Sequence, residues 1–101
     1  MTPEGKIVAY LTKQSKAKGF AVRKLSYEGR HGAPDRLILA PGVAYFVEVK
    51  APGMKPRPEQ VREMKVLTAA ALNVIWLSSQ KEVDDFLTGL EMESFFARQK
   101  G

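Results

Sequence analysis

Two acidic residues and a lysine stand on either side of a short turn in the middle of the chain. Asp35 precedes the first of two apolar segments, and Glu48 and Lys50 lie at the end of the second. If Pro41-Gly42 is the loop of a β-hairpin joining these segments, Asp35 lies opposite Glu48, with the two Cβ atoms about 5 Å apart. Because side chains alternate along a strand, Lys50 shares the face of Glu48. The sequence therefore predicts that three charged groups converge at one point.

Two carboxylates beside an ammonium group suit metal-dependent hydrolysis of a phosphodiester. We expect Mg²⁺ or Mn²⁺ bound by Asp35, Glu48 and the backbone carbonyl of Val49, because these ions prefer oxygen ligands. The ion would activate water and offset the charge that grows on the phosphate. Lys50 would orient or polarise the attacking water and stabilise the pentavalent state. Without a cation, carboxylates this close repel by roughly 3 kcal/mol at an effective dielectric constant near 20.

The predicted geometry depends on the turn between the two segments. Two-residue hairpins favour positive φ at the first loop position, which Pro41 cannot adopt. We therefore expect a loop of three or four residues, with Gly42 in the left-handed conformation. A register shift of one residue would move Asp35 off the shared face. In the alternative interpretation these are ordinary strand charges, with Asp35 in a turn and Glu48 paired with a nearby basic residue.

The N-terminal part of the sequence predicts a helix and the first strand of a sheet. Thr2 is suited to cap a helix that begins at Pro3, and Gly19 is suited to end it. A strand is expected from Phe20 to about Leu25 or Tyr27. The hairpin follows, and its core-facing residues are expected to be these or their neighbours: Leu37, Leu39, Val43, Tyr45 and Val47.

The C-terminal part predicts helix, strand and helix. The second helix should run from near Pro58 to about Leu72, and its expected buried face comprises Gln60, Met64, Leu67 and Ala71. Residues 73–78 read as a strand buried on both faces, with Trp76 in the core. A last helix capped by Ser79 should run through Leu90, and a short helix after Gly89 should carry the tail. The apolar tail, Met92, Phe95 and Phe96, either folds into the core or forms an aromatic patch that favours self-association.

Composition predicts one globular domain over residues 1–101 and excludes several kinds of site. The chain has no cysteine and one histidine, which rules out disulfides, thiolate metal sites and a multi-histidine zinc site in one chain. It lacks an apolar run of the ~20 residues that span a membrane, and its start lacks a signal-peptide core. We therefore expect a cytoplasmic protein that is not secreted. A net charge of +5 suits a polyanionic partner such as nucleic acid.

Three short motifs resemble those of a known nuclease family. They are Gly32-x-Pro34-Asp35, Glu48-Val49-Lys50 and Pro58-Glu59-Gln60. Together they resemble the PD-(D/E)xK superfamily, and more closely the VRR-NUC (virus-type replication-repair nuclease) domain, from Glu4 through Leu77. The resemblance implies an α/β fold with a restriction-endonuclease-like αβββαβ(α) core, in which helices flank a mixed central sheet.

The resemblance also implies roles for individual residues. Asp35 and Glu48 would bind Mg²⁺ or Mn²⁺, and Lys50 would be the catalytic lysine. Gln60 would be an active-site residue from the following helix, and Glu4 an outer acid from the first helix. For these two residues the alternatives are a surface glutamine at a helix start and an acid that favours the helix dipole.

We interpret the chain as a metal-dependent, structure-selective DNA endonuclease. Similarity to stand-alone VRR-NUC proteins and to Holliday-junction resolvases implies a homodimer that cuts branched DNA. A flap, single-strand or restriction-like nuclease remains an alternative, as does a non-catalytic basic module that only binds DNA. The candidate DNA contacts are basic residues in loops or helix starts around the acid pair: Lys24, Arg30, His31, Lys55, Arg57 and Arg62.

Overall fold

The computed structural model describes residues 1–100 and shows a mixed sheet flanked by helices. Within these residues the elements are α1 (Pro3–Ala17), β1 (Ala21–Lys24), β2 (Arg36–Ala40), β3 (Val43–Val49), α2 (Pro58–Ala69), β4 (Val74–Leu77) and α3 (Gln80–Gln99). The strand order is β1-β2-β3-β4, with the first three antiparallel and β4 parallel to β3. The predicted α/β fold class is confirmed.

The turn between β2 and β3 has two residues. Ala40 pairs with Val43, so Pro41-Gly42 is the whole loop, and the expectation of a longer loop is wrong. Gly42 takes φ +80° at the second loop position, while Pro41 occupies the first. That combination belongs to a type II turn, which tolerates proline where the usual hairpin turns do not.

The N-terminal helix is held at both ends as the sequence predicts. The Thr2 hydroxyl accepts a hydrogen bond of 2.9 Å from the Gly5 amide, and Gly19 takes φ +82° after the last turn. Ile7 and Leu11 lie one turn apart on its buried face. Helix α1 packs against α3 and the sheet, and Gly5 in its first turn lies along a cleft with Asp35 and Arg36 at the start of β2.

The core lies between the sheet and the helices α1 and α3. On the two central strands the buried apolar residues are Val47, as expected, and three neighbours of expected residues, namely Ile38, Ala40 and Val49. Leu37 and Leu39 are half-buried, because alternation turns them to the opposite face of β2. The whole cluster also includes Ile7, Leu11, Phe20, Leu77, Val83, Phe86, Leu87 and Leu90.

Two elements are shorter than the sequence predicts. Strand β1 ends at Lys24, and its pairing finishes with a 3.1 Å hydrogen bond from the Leu25 amide to the Asp35 carbonyl. Helix α2 ends at Ala69, so Ala71 (φ 65°) lies beyond it and not on its buried face. Glu63, not Met64, is the fully buried residue on that helix between Gln60 and Leu67.

The C-terminal region differs most from expectation. Helix α3 passes through Gly89 without a break, so the predicted separate short helix is wrong. Met92, Phe95 and Phe96 are 57%, 51% and 56% exposed and lie outside the core. Trp76 is 37% exposed, because β4 is an edge strand, and its assignment to the core is also wrong. Within residues 1–100, no helix combines the length and hydropathy needed to cross a bilayer.

The tight contact at the hairpin turn gives a stability prediction. An alanine at position 42 would have a strained backbone φ, and its Cβ would lie 2.9 Å from the Cβ of Ala97 in α3. Gly53 has a similar φ of +82°, but no described heavy atom lies within 4 Å of its Cβ position. We expect Gly53→Ala to cost about 1–2 kcal/mol from backbone strain, and Gly42→Ala to cost about 1–3 kcal/mol more from overpacking. Urea unfolding of the two variants measures the difference, and equal losses would contradict the packing argument.

Candidate active site

Asp35 is placed by the start of β2 and fixed by the end of β3. It lies one residue before Arg36, which pairs with Val47, so the same register carries it to Glu48. Its Oδ2 atom accepts a 2.7 Å hydrogen bond from the Val49 amide. The two-residue turn therefore brings Asp35 beside the motif Glu48-Val49-Lys50, as the hairpin interpretation predicts.

Glu48 is a buried carboxylate beside a second carboxylate. Only 3% of the residue is exposed. Burial, and next the Asp35 charge, raise the pKa of Glu48 to about 7, and the charge of Lys50 opposes that shift. Within residues 1–100, the buried Oε1 atom of Glu48 has no hydrogen-bond partner. An unpartnered oxygen in a buried acid pair costs free energy unless a cation binds it.

Lys50 and Gln60 complete a connected group around Glu48. The Lys50 Nζ atom lies 3.7 Å from Glu48 Oε2 and donates a 3.2 Å hydrogen bond to Gln60 Oε1. Gln60 Nε2 donates to Glu48 Oε2. The same Gln60 Oε1 accepts a 2.8 Å hydrogen bond from the Arg57 amide at the start of α2. Gln60 thus caps its own helix while contacting both the acid and the lysine.

The oxygen atoms at this point fit a hard divalent cation. Across residues 1–100 no cluster of three or more His, Cys, Asp or Glu side chains could hold a metal ion, so the site offers two carboxylates. Mg²⁺ is commonly bound by one or two carboxylates and keeps several waters. Asp35 and the unpartnered Oε1 of Glu48 would hold it. The Val49 carbonyl stays a predicted third ligand, because the observed contact of Val49 with Asp35 is made by its amide.

Glu4 lies within electrostatic reach of the acid pair. Its charge also raises the pKa of Glu48, by less than burial and the Asp35 charge do. Glu4 is half-buried in the first turn of α1. The structure therefore brings four predicted site residues together: Asp35, Glu48, Lys50 and Gln60. Glu4 acts on Glu48 through its charge, more weakly than Asp35 does. Their catalytic roles stay predictions.

The candidate DNA contacts fall into two groups. Arg30 and Arg57 face acidic partners, with nitrogen–oxygen distances of 3.8 Å to Glu63 and 2.9 Å to Glu59. The others are exposed, on the end of β1, in loops and on α2: Lys24, His31, Lys55 and Arg62. Contact with DNA stays a prediction for all six.

Sequence reasoning missed a buried acid that fixes the loop before Asp35. Glu63 accepts a 2.7 Å hydrogen bond from the Tyr27 hydroxyl, and burial, then this bond, raise the pKa of Tyr27 to about 12. A Cβ on Gly32 (φ +96°) would lie 2.9 Å from the Glu59 carbonyl oxygen, so the loop backbone lies directly against α2. The signal was the spacing of Glu63 three residues after Gln60, which places both on one face.

Comparisons with known proteins identify close relatives of the chain. It is 44% identical over 78 residues to "Putative nuclease p44" of Acyrthosiphon pisum secondary endosymbiont phage 1, covering 76% of this chain and 84% of that protein. A solved structure described as "VRR_NUC domain" is 44% identical with a TM-score of 0.82, covering 87% of this chain and 97% of that one.

A more distant solved structure shares the fold. It is described as "VRR_NUC domain protein", is 16% identical, has a TM-score of 0.73 and covers 86% of each chain. No family model matches the sequence.

The contact between Tyr27 and Glu63 can be measured by a double-mutant cycle. We expect Tyr27→Phe and Glu63→Ala each to destabilise the protein, with a coupling free energy of about 1–2 kcal/mol, because a hydrogen bond to a buried charged group is strong. Urea unfolding of the single and double variants gives this value. A cycle on the exposed pair Lys81 and Asp85 serves as control and should give a much smaller coupling. Equal couplings would show that Glu63 does not hold the loop.

Proposed function

This chain belongs to the VRR-NUC family of nucleases, and we propose that it is an endonuclease that hydrolyses DNA with a bound Mg²⁺ or Mn²⁺. One observation carries the metal dependence. The carboxylates of Asp35 and Glu48 are held together although the buried Oε1 atom of Glu48 lacks a hydrogen-bond partner in residues 1–100. Burial and mutual repulsion make this arrangement unfavourable without a cation.

The side chains would divide the work of hydrolysis between them. Asp35 and Glu48 would hold the ion, which when bound supplies an activated water and neutralises charge on the phosphate. The Lys50 ammonium would donate to the attacking water or to a phosphate oxygen. Gln60 would keep Lys50 aimed into the site by accepting its hydrogen bond, and Glu4 would add negative charge from further out.

Burial makes the lysine effective in this role. The Lys50 side chain is 10% exposed and that of Glu48 is 4% exposed, so neither is well hydrated. A charge in a dry, fixed environment stabilises developing charge more strongly than a mobile surface charge does. The hydrogen bond to Gln60 limits its reorientation, which is what preorganised catalysis requires.

We further propose that the substrate is branched DNA, such as a Holliday junction, and that two copies of the chain act together. The resemblance to junction resolvases supports the first point. The exposed aromatic residues at the end of α3 support the second, since Phe95 and Phe96 pack on each other with ring centroids 5.5 Å apart and are more than half exposed. Self-association would cover this surface.

Cleavage assays test the proposed chemistry. We expect wild type to cut DNA with Mg²⁺ or Mn²⁺ but not with chelator, and to cut four-way junctions faster than flap, single-stranded or linear DNA. Asp35→Ala and Lys50→Ala should lower the rate at least about 10²-fold, because each removes a group that stabilises the transition state. Lys65→Ala, an exposed lysine on α2, is the matched control and should cut normally.

Two outcomes would overturn this assignment. Undiminished cleavage by both Asp35→Ala and Lys50→Ala would remove the acid pair and lysine from the mechanism. Binding of DNA without cleavage by wild type, under every metal tried, would instead favour a binding module. Thermal unfolding separates metal binding from catalysis, since Mn²⁺ should raise the Tm of wild type and of Lys50→Ala but not that of Asp35→Ala.

Sedimentation tests the dimer. We expect wild type to sediment as a dimer at micromolar concentration and Phe95→Ser/Phe96→Ser as a monomer, because the serines remove apolar area from the proposed contact. The matched control is Val66→Ser/Leu72→Ser, two residues exposed to 58% and 45% away from the end of α3. A monomeric wild type, or a control that dissociates equally, would contradict the assignment of this surface.

A further inference from the structure

A cleft beside the candidate active site is lined by basic residues that are not among the predicted DNA contacts. Its volume is about 750 Å³. One wall is the outer face of α1, where the small residues Gly5, Ala9 and Thr12 lie, and the other is formed by Asp35 and Arg36. Since Asp35 is a candidate metal ligand, the cleft borders one residue of the proposed hydrolytic site.

The cleft is lined by three cationic residues that are open to a ligand. Lys13 and Lys16 are exposed on α1, and Arg36 is half-buried at the start of β2. Neither lysine forms an ion pair or a side-chain hydrogen bond within residues 1–100. By contrast, Arg30 and Arg57 already face Glu63 and Glu59. The lysines therefore have free charge to offer an anion, at no cost from breaking an existing contact.

The length of the cleft matches a short stretch of a nucleic-acid strand. Gly5 and Lys16 are eleven residues apart on α1, which corresponds to about 16 Å at 1.5 Å per residue. One strand of B-form DNA advances 3.4 Å per nucleotide, so this length spans about five nucleotides. Met1 and Val8 also line the cleft, and Met1 lies over Gly5, so the small residues Ala9 and Thr12 are where a sugar-phosphate backbone would approach the helix closely.

We propose that this cleft binds the phosphodiester backbone of the substrate on one side of the scissile phosphate. Lys13 and Lys16 contact successive phosphates, and Arg36 contacts the phosphate nearest the acid pair. The proposal rests on the nuclease function proposed above and adds the path of the strand: it leaves the site along α1, from its N-terminus toward its C-terminus. Phosphate contacts of this kind fix the register of DNA without reading its sequence.

The lysines, not Arg36, are the residues to test. Arg36 Nη1 donates a 2.9 Å hydrogen bond to the Asp35 carbonyl, so its removal would disturb the candidate active site itself. Lys13→Ala/Lys16→Ala leaves that contact intact. The matched control is Lys65→Ala/Lys81→Ala, which also removes two positive charges, but from exposed helical positions outside the cleft.

The first measurement is the salt dependence of binding to a fluorescent junction, made in chelator so that no cutting occurs. The slope of log K against log salt is negative, and loss of two phosphate contacts should make it less steep by about 1.8. Between 50 and 200 mM salt, the fold-loss of affinity should therefore be about ten times smaller for the variant than for wild type. The control should keep the wild-type slope. Equal slopes for both variants would overturn the proposal and leave the cleft to an occupant other than nucleic acid.

Kinetics with Mn²⁺ separate this proposal from the catalytic one. Lys13→Ala/Lys16→Ala should raise KM while kcat at saturating DNA stays near that of wild type, because the lysines hold DNA without touching the reacting atoms. A loss of kcat with unchanged KM would overturn the proposed role. If wild type does not cut at all, the catalytic function fails, and the salt measurement still decides what the cleft binds.

A cross-link locates the strand directly. The chain has no cysteine, so Thr12→Cys introduces a single thiol in the wall of the cleft. We expect it to cross-link by thiol–disulfide exchange, with release of a small thiol, to DNA that carries a mixed-disulfide tether on a phosphate within about five nucleotides of the cut, on one side only. Thr68→Cys, exposed on α2, is the control. Cross-linking no more efficient than that of the control would contradict the path along α1.

Discussion

A buried carboxyl group beside a second, half-buried one is the constraint on which the rest of the structure depends. Asp35 is kept beside Glu48 by the Val49 amide, and Gln60 contacts Glu48 while also accepting from Lys50. Each contact offsets part of the cost of burying a carboxylate next to another. One oxygen of Glu48 remains without a partner in the described chain, and the proposed cation would complete its coordination. The sheet, α2 and the loop before β2 all serve to hold this pair.

The centre of the fold was predictable because it depends on local rules. Strand alternation and the number of residues in the turn fix which side chains share a face, and the observed register brings Asp35 to Glu48 as the simplest hairpin does. The turn itself was misjudged. The usual hairpin turns exclude proline at the first position, but a type II turn accepts it when a glycine follows. Spacing placed Gln60 on the buried face of the second helix, and the resemblance to a nuclease family added its predicted role in the active site.

The errors arose where tertiary contacts override local pattern. Residues 73–78 have the apolar run of an interior strand, yet β4 lies at the edge of the sheet, and Trp76 remains partly exposed. Gly89 suggested the end of a helix, but packing of Leu87 and Leu90 in the core carries α3 past it. The spacing of Glu63 from Gln60 indicates its face of α2, but its contact was not predictable, because its partner Tyr27 is far along the chain and lies in a loop.

In the proposed metal-bound state, the hydrogen bond between Tyr27 and Glu63 would link metal occupancy to the order of the loop. Residues 25–35 carry Asp35 and are anchored to α2 through that hydrogen bond and the close approach at Gly32. Opening of this segment would withdraw one ligand while leaving the sheet folded. Linkage then works in both directions: an ion held by Asp35 disfavours the open loop, and a well-anchored loop increases affinity for the ion by the same factor. In the proposed metal-dependent enzyme, residues that do not contact the ion would therefore help to set the metal concentration at which it becomes active.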